Sequence, residues 1–303
     1  MSPQAVAALE KTGQFLTLGH YSEMTIRNYL GELRYFFCYY PDVAPLDFDS
    51  EMVMQYLLYL TKTLGCGRSK YCMAAQSISF FFRHVMQKPY VIPTLIYPRR
   101  NKTLPEVMSA EEISTVISTI ENVKHRVMVM LLYSTGIRLS ELSYLRITDI
   151  DSKNMRVKVV QGKGSKDRYT ILSETVLLEL RAYYIQYRPV EYLFNGQGKG
   201  RRYSQRSIEK VVQNAIIKAG LANKDYSVHT IRHSFATHLV DNGTDVHTVK
   251  ELLGHNSLGT TMQYLHLSQK RIEGVVNPYD LLPTRGYDPI NHLTPGSLLQ
   301  RTR

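Results

Sequence analysis

The chain has 303 residues, 44% of them hydrophobic and 21% charged, and carries a formal net charge of +11. This balance excludes a disordered chain, and the length leaves room for two cores, because a single core stops growing at roughly 250 to 300 residues. The charge favours a polyanionic partner, nucleic acid or an anionic membrane surface, without choosing between them. No apolar run approaches the roughly 20 residues that span a bilayer, and MSPQAVAALEK lacks the basic start and apolar core of a signal peptide. The expected location is therefore the cytoplasm, with no membrane span. Cys38, Cys66 and Cys72 are an odd number without C-x-x-C spacing, which reads as reduced thiols packed among apolar neighbours.

The first hundred residues have helical periodicity throughout. In SEMTIRNYLGELRYFFCYYP, Ile26, Tyr29, Leu30, Leu33 and Phe37 share one face after a cap at Ser22, and Pro41 stops the helix. SEMVMQYLLYLTKTLG and SKYCMAAQSISFFFRHVMQ repeat the pattern, with Asp49 or Ser50 and then Ser69 as caps. Arg68 and Lys70 make one helix entrance basic. These patterns describe a helical bundle over 1–97. Residues 98–108, polar, basic and broken by Pro98 and Pro105, read as an exposed linker containing Arg99, Arg100 and Lys102.

A second, larger domain is expected over 109–284. It opens on a capping box formed by Ser109 and Glu112. HRVMVMLLYSTGIRLSELSYLRITDID then predicts an apolar helix interrupted at Thr135-Gly136 and resumed. MRVKVVQ and RYTILS, flanking GKGSKD, alternate with β-type residues and predict a hairpin. Beyond Ser173 the patterns are helical again, with NGQGKGRRYSQRS as an exposed basic break holding Arg201, Arg202 and Arg206. Pro278, Pro283, Pro289 and Pro295 are too closely spaced for a long helix, so the C-terminal segment, 285–303 above all, is expected to be an extended tail. Leu281, Leu282, Leu298 and Leu299 suit that tail to docking on a neighbouring subunit.

Three stretches stand out chemically. In TGIRLSELSYL, Arg138 shares a wheel face with Glu141, Leu142 and Leu145, which aims a charge inward and demands Glu141, an anionic ligand, or both. In HTIRHSFATHL, Ile231, Phe235 and Leu239 form an apolar stripe joined by His238, expected in the core, while His229 and Arg232 lie beside it. His229 and His233 have the spacing of a zinc pair, but the glutamate of a zincin is missing and Arg232 would repel a cation. A phosphate suits two arginines and a histidine better, since guanidinium matches its oxygens bidentately and stays charged. In KELLGHNSLGTTMQYLH, a helix ends at Gly254, His255 follows directly, and Tyr264 falls on a short further helix.

R-x-S-E-L at 138–142, the lysine hairpin GKGSKDR, H-x-x-R-H at 229–233 and LLGH followed nine residues later by tyrosine resemble the tyrosine recombinase/integrase family. Six positions match in order and spacing. The likeness is to the simple two-domain, phage-integrase-like arrangement of Xer and Cre, because the chain starts almost directly with the helices that resemble a core-binding domain. It implies a mainly α protein: a helical core-binding domain and a mixed α/β catalytic domain with a small antiparallel sheet, forming a C-shaped clamp on double-stranded DNA.

By the same resemblance Arg138 and Arg232 clamp the scissile phosphate, His229 and His255 accompany them, and Tyr264 is the nucleophile. Lys163 matches the hairpin lysine that protonates the leaving oxygen, with Lys166 close enough to compete. Glu141 and His233 match supporting positions. Attack by Tyr264 would store the broken bond as a 3′-phosphotyrosine, with no ATP, metal or other cofactor, and His229 could take or steer the phenol's proton. A tetramer on two DNA sites also follows from the family alone. Arg68, Lys70, Arg99, Arg100, Lys102, Arg201, Arg202 and Arg206 are expected phosphate contacts. The expected function is site-specific DNA recombination in integration, excision or resolution of a mobile element or replicon. Nicking-closing topoisomerase activity and non-catalytic DNA-binding regulation are the alternatives.

Overall fold

The structure is a computed structural model that describes residues 1–88, 105–160, 167–198 and 200–267. The basic residues Arg99, Arg100 and Lys102, the hairpin lysines Lys163 and Lys166, and the proline-rich tail lie outside the described residues. The chain divides into two compact units, Met1–Lys102 and Thr103–Arg303.

The first unit contains α1 (Pro3–Leu18), α2 (Glu23–Tyr39), α3 (Ser50–Leu58) and α4 (Arg68–Phe80). Ser22 and Asp49 cap α2 and α3 by accepting from Thr25 N and Met52 N. The start of α4 differs from expectation: its N-cap is Gly67, with no side-chain cap bond, and Ser69 already lies inside the first turn. Both α3 and α4 continue into wider π-helical turns, Tyr59–Thr63 and Phe81–Val85. Leu33, Phe36 and Phe37 of α2 pack against Phe48, Tyr56 and Phe81, with Phe36 and Phe48 ring centroids 4.6 Å apart. All three cysteines are free. Cys66 packs against this core, but Cys38 is exposed, because it follows the inward-facing Phe37 by one position and so turns to the solvent side of α2.

In the second unit, the predicted capping box at Ser109 and Glu112 opens α5 (Ala110–Ser118). It is followed by α6 (Val123–Thr135), α7 (Leu139–Tyr144), the strands β1 (Ile150–Asp151), β2 (Arg156–Val159) and β3 (Arg168–Ile171), and then α8 (Glu174–Tyr187). The last described helices are α9 (Gln205–Lys218), α10 (Val228–Asp241), α11 (Val246–Leu253) and α12 (Leu258–Leu267). The predicted hairpin is the β2–β3 pair of a three-stranded antiparallel sheet, in which Val157 faces Thr170 and β1 adds to the other edge of β2.

α6 is the axis of this unit. Val127, Met128, Val129, Leu131 and Leu132 are all buried, so it is apolar on every side and is enclosed by α5, α8, α9 and α10. Its end carries the site: Gly136 takes a left-handed conformation at φ +60°, which terminates the helix and turns the chain into α7. The break NGQGKGRRYSQRS is partly ordered by its own backbone, with Gly196 N donating to Arg201 O at 2.7 Å.

Candidate active site

Three helix ends and one strand build the site. α6 ends at Gly136 and α11 at Gly254, each in a left-handed turn, while α10 begins at Val228 with Ser227 N donating to Thr230 Oγ1 at 3.0 Å. Carbonyls at a helix C-terminus lack intrahelical donors and carry partial negative charge, so cations gather there. Here they gather in sequence: Leu252 O accepts from Arg168 Nε at 3.0 Å, Leu253 O from Arg232 Nη2 at 2.7 Å, and Gly254 O from Arg138 Nη2 at 3.2 Å. Three arginines from three elements thus hold three successive carbonyls of one helix end.

Arg232 is 7% exposed and also donates through Nη1 to Gly136 O, so the ends of α6 and α11 share it. Burial, with Arg138 next in importance, lowers its guanidinium to about 10. Arg138 is placed differently from expectation. It is the N-cap residue ahead of α7 and not part of the helix, with ψ 154°, because the Gly136 turn leaves Ile137 and Arg138 extended before α7 starts. Its side chain is 25% exposed and donates through Nη1 to Glu141 Oε1 at 2.8 Å.

The carboxylate that faces these cations is Glu141, whose side chain is 6% exposed. It accepts from Arg138 N, Arg138 Nη1, and both terminal nitrogens of Arg168 at 2.8 and 2.7 Å. Burial alone would raise its pKa, but the Arg168 hydrogen bonds and charge, assisted by Arg138, pull it down to about 2. The pair expected between Arg138 and Glu141 is therefore a triad. Sequence reading missed Arg168. A signal existed, since strand alternation puts it on the same face as the buried Thr170.

The histidines divide. His255 Nε2 lies 3.3 Å from Arg232 Nη2, and its Nδ1 lies 2.9 Å from Thr261 Oγ1. Guanidinium only donates, so Nε2 accepts and the ring proton sits on Nδ1, directed at Thr261. Burial and the charges of Arg232 and Arg138 hold this imidazole at about 4. His233 Nδ1 is 3.0 Å from the Tyr264 hydroxyl and is likewise held at about 4, by burial and then by His229 and Arg232. His229, expected to meet the phenol, is exposed on the first turn of α10 and makes no hydrogen bond among the described residues. The reason is angular: a helix turns by 3.6 residues, so His233 and His229 share a side but only the second turn reaches α12. His238 is half-buried, not fully in the core, with Nδ1 2.9 Å from the Tyr133 hydroxyl.

Tyr264 is 1% exposed, packed on Phe235, Ala236, Val249 and Leu253, with its ring centroid 5.7 Å from that of His233 and 6.2 Å from that of His255. Burial raises its phenol, and Arg232 opposes that rise. Arg138, Arg232, His255, His233, Glu141 and Tyr264 are thus linked by one chain of contacts. Among the described residues no group of three or more His, Cys, Asp or Glu gathers as metal donors.

The candidate DNA contacts are dispersed. Arg68, Arg201 and Arg206 are exposed. Lys70 is instead tied to Glu32 at 2.8 Å and lies 4.4 Å over the Tyr35 ring, because Glu32 of α2 is buried and needs a cation. Arg202 donates to Ser143 Oγ at 3.0 Å and stacks 4.0 Å over Tyr144.

Residues 106–271 match the phage integrase family, and residues 9–92 match the phage integrase N-terminal SAM-like domain. The chain belongs to the phage integrase family. Among relatives of this family member, integrase/recombinase y4qK of Sinorhizobium fredii is 34% identical over 79% of the chain and 78% of that protein. Tyrosine recombinase XerD of Staphylococcus saprophyticus is 32% identical over 78% of the chain and 85% of its own length. The XerH site-specific recombinase, solved in a post-cleavage complex with its palindromic difH substrate, superposes with a TM-score of 0.66 at 25% identity, over 82% of this chain and 78% of that one.

Proposed function

We propose that this phage integrase family member is a site-specific DNA recombinase that cuts and rejoins strands through a 3′-phosphotyrosine. The observation that carries the chemistry is the meeting of Arg138 and Arg232 on the successive carbonyls of Gly254 and Leu253, with His255 on Arg232. Three guanidiniums face one carboxylate there, so the site keeps an excess of positive charge that an anion relieves.

A DNA phosphodiester supplies that anion. Arg138, the more exposed fork, receives it first, and Arg232, held in place by His255 Nε2, completes the cradle around its non-bridging oxygens. Charge grows on those oxygens in the transition state, where fixed donors stabilise it most. The Tyr264 oxygen attacks phosphorus, its proton passes to His233 Nδ1, and the bond from phosphorus to the 5′ oxygen breaks. That oxygen takes a proton from Lys163. His233 is placed for the first transfer by its Nδ1, 3.0 Å from the phenol oxygen; the burial and cationic neighbours that hold its ring near 4 leave it neutral but weaken it as a base, and the negative charge of the bound phosphate offsets those neighbours. His229 stays at the rim as a second phosphate neighbour. With Tyr264 1% exposed, the attack requires α12 to shift as DNA binds.

Both units bind duplex DNA, and four subunits assemble on two sites in the cytoplasm for integration, excision or resolution. The test uses the full chain with nicked duplexes tiled across the DNA flanking its gene. Wild-type protein is expected to give a covalent adduct that survives denaturing electrophoresis, and Tyr264→Phe none. An adduct of equal yield with Tyr264→Phe overturns the proposal.

A further inference from the structure

Arg168 carries no assigned role, yet it is the most completely engaged cation of the site. Its three guanidinium nitrogens are all used: Nη1 and Nη2 hold the two oxygens of Glu141 in parallel, and Nε holds Leu252 O. The side chain is 11% exposed. Its path is reserved by Gly254, where an added Cβ would stand 2.7 Å from Arg168 Cδ and 2.9 Å from Nε. A lysine cannot reproduce this, since a single ammonium has no planar fork.

The consequence lies in what Glu141 would otherwise do. A buried carboxylate takes every cation within reach, and Glu141 Oε1 already accepts from both Arg138 and Arg168. With Arg168 in place, both oxygens are satisfied from the strand side and the Nη2 end of Arg138 is left to the α11 turn. Without it, Glu141 draws the whole Arg138 fork onto itself and away from an arriving phosphate. Arg168 is also the first residue of β3.

We propose that Arg168 is a positioning residue for strand cleavage: by saturating Glu141 and gripping the end of α11, it keeps the Nη2 end of Arg138 off the carboxylate and turned to the α11 end, where the scissile phosphate is received. The inference rests on the reading of the site given above. The experiment measures single-turnover adduct formation at saturating nicked duplex, the duplex being one that wild-type protein cleaves. DNA affinity and melting temperature are measured alongside.

Arg168→Met is expected to cleave about 10- to 100-fold more slowly with affinity within about threefold, and Arg168→Lys to recover little. Adding Glu141→Gln to Arg168→Met should restore at least about fivefold of the rate, because the competing carboxylate charge is gone. Should Arg168→Met fail to fold, Arg168→Lys carries the test by the same rate criterion. Cleavage within about threefold of wild type, a loss that follows the unfolded fraction, full recovery by lysine, or no gain from Glu141→Gln each overturns the inference. Absence of any wild-type adduct overturns the reading of the site itself, and this inference with it.

Discussion

Arg138, Arg168 and Arg232 can sit together because each is stabilised locally, by hydrogen bonds to Glu141 or to carbonyls at the ends of α6 and α11. Burial first, and then the same crowding, keeps His233 and His255 near 4, below the usual 6.5. A basic group held down in the folded state takes up protons more readily when the chain unfolds. Its contribution to stability is therefore complete above about pH 6.5 and drains away as the pH falls toward 4, at about 1.4 kcal/mol per unit of displacement. Glu141 works in the same direction but only from its usual 4.5 down to about 2, so it cannot cause a loss above pH 5. The melting temperature of the full chain is expected to drop between pH 7 and 5, and less steeply in the His233→Asn, His255→Asn double variant. A flat profile for wild type would contradict the site electrostatics. Much of this cluster was legible as residue types at fixed spacings, because Arg138, Arg232, His255 and Tyr264 recur in a recognisable order. What spacing could not show is who touches whom: that His233 and not His229 meets the phenol, or that Arg168 completes the Glu141 pair, depends on how α10, α12 and β3 face one another.

The helix junctions decide whether those residues converge. Gly136 ends α6 at φ +60°, and an added Cβ would lie 2.2 Å from Phe235 Cδ1, on the helix that carries Arg232. Gly136→Ala meets two costs at once, the left-handed conformation at roughly 1 to 2 kcal/mol and the displacement of a packed ring at roughly 1 to 3 kcal/mol. Denaturant unfolding should show a loss of at least about 2 kcal/mol, and a variant as stable as wild type would refute the close approach. Elements were legible where a side chain marks the boundary. Ser22, Asp49 and the Ser109–Glu112 box all cap as their residue types require. They were obscure where only backbone decides: the α4 start at Gly67 has no side-chain cap bond, the π-helical turns at Tyr59 and Phe81 rest on backbone bonds from Leu64 N and Met86 N that no residue type marks, and the two-residue β1 is too short to alternate.

Across the whole molecule, the charge of +11 acquires a use under the proposal that the site takes a phosphate diester. Basic residues that stand free of other contacts can displace counterions from duplex DNA, and each phosphate neutralised steepens the fall of affinity with salt by about one in the logarithmic slope. A footprint of about 6 to 10 such contacts loses about 10³- to 10⁵-fold in affinity between 50 and 200 mM salt. Composition cannot say which cations contribute, but their surroundings do. Arg201 and Arg206 are exposed, whereas Arg202 is committed to Ser143 and the Tyr144 ring, and Lys70 to Glu32 and Tyr35. Arg201→Ala and Arg206→Ala are therefore expected to lower the salt slope by about one each while leaving the fold intact. Arg202→Ala and Lys70→Ala should leave the slope unchanged and lower the melting temperature instead, because they remove internal contacts. Titrating fluorescent duplex at four salt concentrations separates the two classes, and equal slopes for all four variants would show that exposure does not select the cations that meet the DNA backbone.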